Sequence, residues 1–172
     1  MRSRYKILNE EGIHFITSTI VDWIEIFTNE DYFKILIESI NYSISEKNLK
    51  VFAYVLMKNH FHIICKAEQL SNVIRSIKSY SAKIIIEKLE EDKRYDLLEK
   101  FKLKNDNRYQ IWQEGFHPKE IINNEEFKQK IEYIHNNPVN ENYCVSPTDW
   151  KYSSANFYEN EQQTVIKVER IV

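Results

Sequence analysis

The triplet His60-Phe61-His62 has the spacing in this chain that best suits chemistry. On a β-strand, side chains i and i+2 point to one face, so the two imidazoles share a side and Phe61 takes the other. Such a pair can hold a divalent metal through one nitrogen of each ring. Two ligands alone make a weak site, which needs a third protein group and a substrate oxygen. The triplet also fits two polar residues on the solvated face of a hairpin; its setting, MKNHFHIICK, at the start of an apolar strand after a tight turn, favours the ligand reading. Tyr133 is the second candidate. It lies in KIEYIHNNPV, four residues before Asn137, which places both side chains on one face of a helix. With 11 tyrosines in the chain, a half-buried spacer on an amphipathic helix is the competing description of Tyr133. His135 should point round the helix from Tyr133 as a surface or capping group, and Asn136 and Asn137 also fit helix caps before Pro138. His117 reads as a turn residue before Pro118, and Trp112 as core.

The elements that must position these residues follow from periodicity. Residues 13 to 20 alternate well enough for a first strand. From Asn29 the spacing of Phe33, Ile37, Ile40 and Ile44 predicts a helix, with Asn29 as its cap and Glu30 and Asp31 favouring its dipole. Residues 50 to 57 and 60 to 66 read as a hairpin joined by Lys58-Asn59. Residues 71 to 91 predict a long second helix behind Ser71 as cap, and residues 92 to 108 a charged helical or mobile excursion. Residues 109 to 114 predict a fourth strand, continuing past Gly115 through a bend to Ile121 and Ile122. A third helix spans about 124 to 136 and ends at Pro138. After Ser146 the aromatics show no clear period. The order strand, helix, strand, strand, helix, strand implies an α+β, ferredoxin-like split β-α-β fold with an antiparallel sheet and helices on one face, plus a C-terminal helix carrying Tyr133.

Length and composition narrow the function. A chain of 172 residues suits a single domain, with its core from about 13 to 157 and a tail from 158 to 172. Only 2 glycines occur, which excludes the glycine-rich phosphate loops of Walker or dinucleotide type. Cys65 and Cys144 form no CxxC pair and read as free thiols. No charged-then-apolar leader and no run of the ~18 apolar residues that a membrane span needs is visible, so the expectation is a cytoplasmic protein without a membrane partner. A net charge of -2 gives no global attraction to nucleic acid, so any such site must be a local patch. Lys58, Lys66, Arg75, Lys78 and Lys83 cluster mid-sequence as candidate phosphate contacts, scattered solvated lysines being the alternative. Trp112 or Phe116 could stack a base.

Four segments in order, LMKNHFHII (56 to 64), IWQEGFHPKEI (111 to 121), IEYIHNNPV (131 to 139) and DWKYSS (149 to 154), resemble the REP-associated tyrosine transposases of the HUH superfamily, over residues 13 to 157. The resemblance implies that His60 and His62 bind the metal, Mg²⁺ or Mn²⁺, that Tyr133 is the nucleophile, and that Asn137, or its neighbour Asn136, completes the metal shell. It also implies a single-tyrosine DNA endonuclease and strand transferase. Such an enzyme cuts and rejoins single-stranded or hairpin DNA through a 5′-phosphotyrosine link, without ATP, as a monomer or homodimer. The alternative is a descendant that binds hairpin DNA or structured RNA without cutting it; a water-activating hydrolase would leave Tyr133 without a role.

Overall fold

Alternation along the strand that carries the histidines divides the molecule into two packed layers. In this computed structural model, which describes residues 6–171, the strands are β1 (His14–Thr19), β2 (Lys50–Leu56), β3 (His60–Lys66) and β4 (His117–Glu120), antiparallel in the order β2-β3-β1-β4. Phe61, Ile63 and Cys65 of β3 face a core built with α1 (Glu30–Glu46) and α2 (Leu70–Glu91). Ile64, together with Phe15 of β1 and Val55 of β2, faces the other way, onto Ile134 of the helix that carries Tyr133. That helix is α4 (Asn124–Asn140); the short α3 (Tyr95–Phe101) and α5 (Ala155–Asn160) complete the set. The charged excursion contains α3, which sends Leu97, Leu98 and Phe101 into the first core.

Capping explains the helix starts. Asn29, in extended backbone, accepts from the N–H groups of Asp31 and Tyr32 at 3.1 and 3.3 Å, as its sequence position predicts. Ser71 does not cap α2: its N–H and hydroxyl both donate to the carboxylate of Glu10, at 2.9 and 2.5 Å, so a distant acid satisfies the helix end.

The fourth strand is displaced from its expected place. Residues 109 to 114 form only single bridges, Trp112 with Ile20 and Tyr109 with Lys102, and the ladder resumes at His117–Glu120 beyond Gly115, whose φ of 72° bends the chain. The β-prone character of YQIWQE reflects burial instead: Ile111 and Trp112 sit in the core, and the indole N–H donates to Ser81 Oγ at 3.0 Å. Pro118 is tolerated because β4 is an edge strand.

Pro138 does not end α4. The helix runs on to Asn140, and Asn142, with φ of 58°, makes the left-handed exit. Proline's fixed φ is helical, so its cost here is the missing N–H bond to Ile134 in the final turn. The extension keeps Asn137 inside the helix, one turn after Tyr133.

The aperiodic tail is a strap along the sheet. Ser153 bridges Val55, the N–H of Leu56 donates to Tyr152 O at 2.8 Å, and the N–H of Ser154 donates to Tyr54 O at 3.0 Å, which covers the outer edge of β2. Further on, Ile166 is fully buried and the N–H of Glu169 donates to Val51 O. The tail is thus tied to the fold at Ile166 and Glu169.

Candidate active site

The start of β3 sets two imidazoles side by side under α4. The His60 and His62 rings are 4.8 Å apart between centroids, and both residues are buried, at 8% and 5% exposure. They therefore do not lie on a solvated hairpin face. Each ring is held by a neighbour: His60 Nδ1 lies 2.7 Å from Asn59 Oδ1, and His62 Nδ1 lies 2.7 Å from Thr17 Oγ1. Phe15 stacks on His62 at 5.2 Å. Burial pushes His60 down to about 4, with a hydrogen bond to Asn137 opposing the shift, and takes His62 down to about 3, helped by the charges of His60 and Lys130. Both rings are neutral at pH 7, and a neutral ring that gives its one N–H to a neighbour keeps a lone pair on its other nitrogen for a metal.

Tyr133 arrives from above. Its ring makes edge contacts with His62 at 5.3 Å and with Phe15 at 5.9 Å, while the residue stays 46% exposed. Asn137 is buried, with its amide near enough to His60 to oppose the downward shift of that ring. Asn136 instead turns outward and donates to Glu132 O at 2.9 Å. The i, i+4 spacing thus puts phenol and amide over the same imidazole pair, within one chain. Among the described residues no three His, Cys, Asp or Glu side chains lie close enough to hold a metal; the polar side chain beside the two imidazoles is the amide of Asn137. Two imidazoles and one amide suit a divalent cation completed by phosphate oxygens and water.

Lys130, one turn before Tyr133, was not singled out by sequence. Its ammonium lies 4.4 Å from the Phe15 ring centre and 5.4 Å from that of Tyr133, so it is a cation beside the phenol. Its i, i-3 spacing from Tyr133 is the signal that finds it. His117 is a strand residue, not a turn residue; it pairs in register with Thr17, which in turn pairs with His62, so the three share one face. His135 is buried, not a surface group: its Nε2 lies 2.8 Å from Ser154 Oγ, and burial takes it down to about 4. It ties α4 to the strap.

The five basic residues do not gather at this site. Lys58 is beside it at the hairpin turn, 3.9 Å from Glu25 and 4.5 Å from the Tyr143 ring centre. Lys66 is at the far end of β3. Arg75, Lys78 and Lys83 are on α2, across the sheet. Arg75 and Lys78 line a groove of about 830 Å³ there, but the Lys78 ammonium donates to the carbonyls of Gln113 and Gly115, and Lys83 lies 4.0 Å from Glu87. Trp112 is core, 5.5 Å from Phe61.

A scan against protein-family models matches residues 10–137 to the family described as IS200-like transposase, from just before β1 to Asn137. No curated protein matches. Among solved structures, a REP-associated tyrosine transposase bound to a REP hairpin superposes with a TM-score of 0.70 at 20% identity, covering 100% of this chain and 99% of that one. The fold is therefore shared across the whole length, and with a family match over most of its residues the chain belongs to the IS200-like transposase family.

Proposed function

We propose that this protein is a metal-dependent enzyme that cuts and rejoins single-stranded or hairpin DNA with Tyr133 as nucleophile. The observation that carries the proposal is the contact between the half-exposed Tyr133 and the buried His60–His62 pair in a single chain. Support comes from the family, and from a solved relative of the same fold whose partner is a REP hairpin.

The chain's own residues supply most of the chemistry. The Tyr133 oxygen attacks a backbone phosphorus in line, the bond from phosphorus to the 3′ oxygen breaks, and that oxygen takes up a proton as a free 3′ hydroxyl. The phosphate stays joined to Tyr133 and to the 5′ end, which conserves the bond for rejoining. The Lys130 ammonium over the Tyr133 ring places a positive charge beside the attacked phosphate, and the phenol gives up its proton as its oxygen bonds to phosphorus. His60, His62 and Asn137 would hold Mg²⁺ or Mn²⁺, which when bound supplies Lewis-acid polarisation of the phosphate oxygens. Phe15 and Thr17 fix the His62 ring from two sides, and Asn59 fixes His60, so the ligands are oriented in advance. One copy of the chain carries the full set, which favours action as a monomer.

The test is incubation of the full chain with labelled single-stranded and hairpin oligonucleotides and Mg²⁺ or Mn²⁺. A denaturant-resistant adduct that Tyr133→Phe abolishes is expected. Cleavage without an adduct would indicate a hydrolase, and tight binding without cleavage a non-catalytic DNA-binding protein; either overturns the proposal.

A further inference from the structure

Beside His60 the chain makes a turn that its residues resist. The N–H of Ile24 donates to Val21 O at 3.2 Å, and the two central residues, Asp22 and Trp23, have φ of 53° and 56°. A turn with both central residues left-handed is of type I′ and favours Asn-Gly, because a Cβ is strained there. A bulky indole in that region is a real outlier, held only where its surroundings fix it. They do: Trp23 O accepts from Asn59 Nδ2 at 3.1 Å, while Asn59 Oδ1 meets His60 Nδ1. The backbone N–H groups of Ile26 and Phe27 both donate to Lys58 O, clamping this loop onto the hairpin turn. For this strain the chain gains no buried side chain. The indole is 59% exposed, with its ring edge-on to His60 at 5.8 Å.

We propose that Trp23 is a stacking platform for one unpaired base, seating the nucleotide next to the phosphate that the His60–His62 pair receives. The inference rests on the DNA-cleaving reading of that pair. An exposed indole face fits any base, so the platform contributes position rather than sequence choice. Charge sets the direction of the strand. Asp22 flanks the turn and Glu25 is taken up by Lys58, so the phosphate lies on the side of His60, His62 and Lys130, with the base over the indole.

Fluorescence reads the proposal directly, because of the chain's three tryptophans Trp112 is buried and Trp150 is partly buried, with its N–H bound to Leu56 O. In a Tyr133→Phe background without metal, a hairpin oligonucleotide with unpaired flanks should quench the emission and shield it from acrylamide, and Trp23→Phe should remove that change. Trp23→Gly suits the left-handed turn, so its thermal midpoint should equal or exceed that of the parent while oligonucleotide affinity falls on the order of 10- to 100-fold. Trp23→Phe, which keeps a ring, should lose less. One abasic position in the flank should weaken the parent and have no further effect on Trp23→Gly. Unchanged affinity and adduct yield in Trp23→Gly, or unchanged emission on binding, would overturn the platform. Failure of the wild-type chain to form any Tyr133 adduct would instead overturn the cleavage reading, which the metal-free binding measurements do not depend on.

Discussion

Phe61 and Ile63 lie on one side of β3, and His60 and His62 on the other, so one strand thickness separates two opposite environments. On the first side α1 and α2 exclude water from an almost wholly apolar layer. On the second, α4 covers Ile64 but leaves the histidine end beneath a half-exposed tyrosine. The difference shows how a small domain can carry buried polar groups: one face supplies the stability, and the other is free to hold imidazoles, an amide and a strained turn.

The largest effect expected from breaking this division is on the sealed side. Phe61→Ala should cost about 3–5 kcal/mol in chemical denaturation, enough to unfold a marginal domain. Tyr133→Phe, on the open side, should abolish the adduct while stability stays within about 0.5 kcal/mol; a large loss of stability in Tyr133→Phe would erase the contrast. Next in size is Ser154→Ala, which leaves the buried His135 Nε2 and the Tyr54 N–H without the serine hydroxyl. A loss of about 1–3 kcal/mol is expected, with faster amide exchange around Ile134 as α4 loosens. Thr17→Val keeps the shape but takes the hydroxyl from His62 Nδ1. Calorimetric titration with Mn²⁺ should show roughly 10- to 100-fold weaker binding, and equal affinity would mean that Thr17 does not orient the ring.

The smallest effect belongs to Lys78. Burial takes it down to about 8, opposed by Glu114, whereas the unfolded chain keeps the ordinary value of 10.5. Between these values the unfolded state binds more protons, so this group makes stability rise with pH above about 8, and below 8 its burial penalty is fully present. Denaturation at pH 7.5 and 9.5 should show that rise in the wild type and a flatter profile in Lys78→Met. Identical profiles would place the ammonium in solvent, as a phosphate contact requires.

Local rules reach far into this chain. The Asn29 cap, the hairpin at Lys58-Asn59 and the shared face of His60 and His62 are each contained in a few consecutive residues. Helical spacing puts Tyr133 and Asn137 on one face, but their choice as site residues rests on the resemblance carried by IEYIHNNPV. What stayed hidden depends on distant partners. Glu10 replaces Ser71 as the cap of α2 across 61 residues of sequence, and no local pattern announces that. YQIWQE looked like a strand because buried loops and strands favour the same apolar residues. His135 looked solvent-facing because its partner, Ser154, belongs to a segment without periodicity. The mid-sequence lysines looked like a patch because closeness in sequence says nothing about which side of a sheet each residue occupies.

The strap over β2 also sets an order of events at the ribosome. The hydroxyl of Ser154 receives the N–H of Tyr54 across 100 residues of chain. At ~5–20 residues per second the newborn β2 waits on the order of 5–20 s with its outer edge unsealed, when it is most open to pairing with another nascent chain. The Tyr133 helix emerges before its anchor at Ser154.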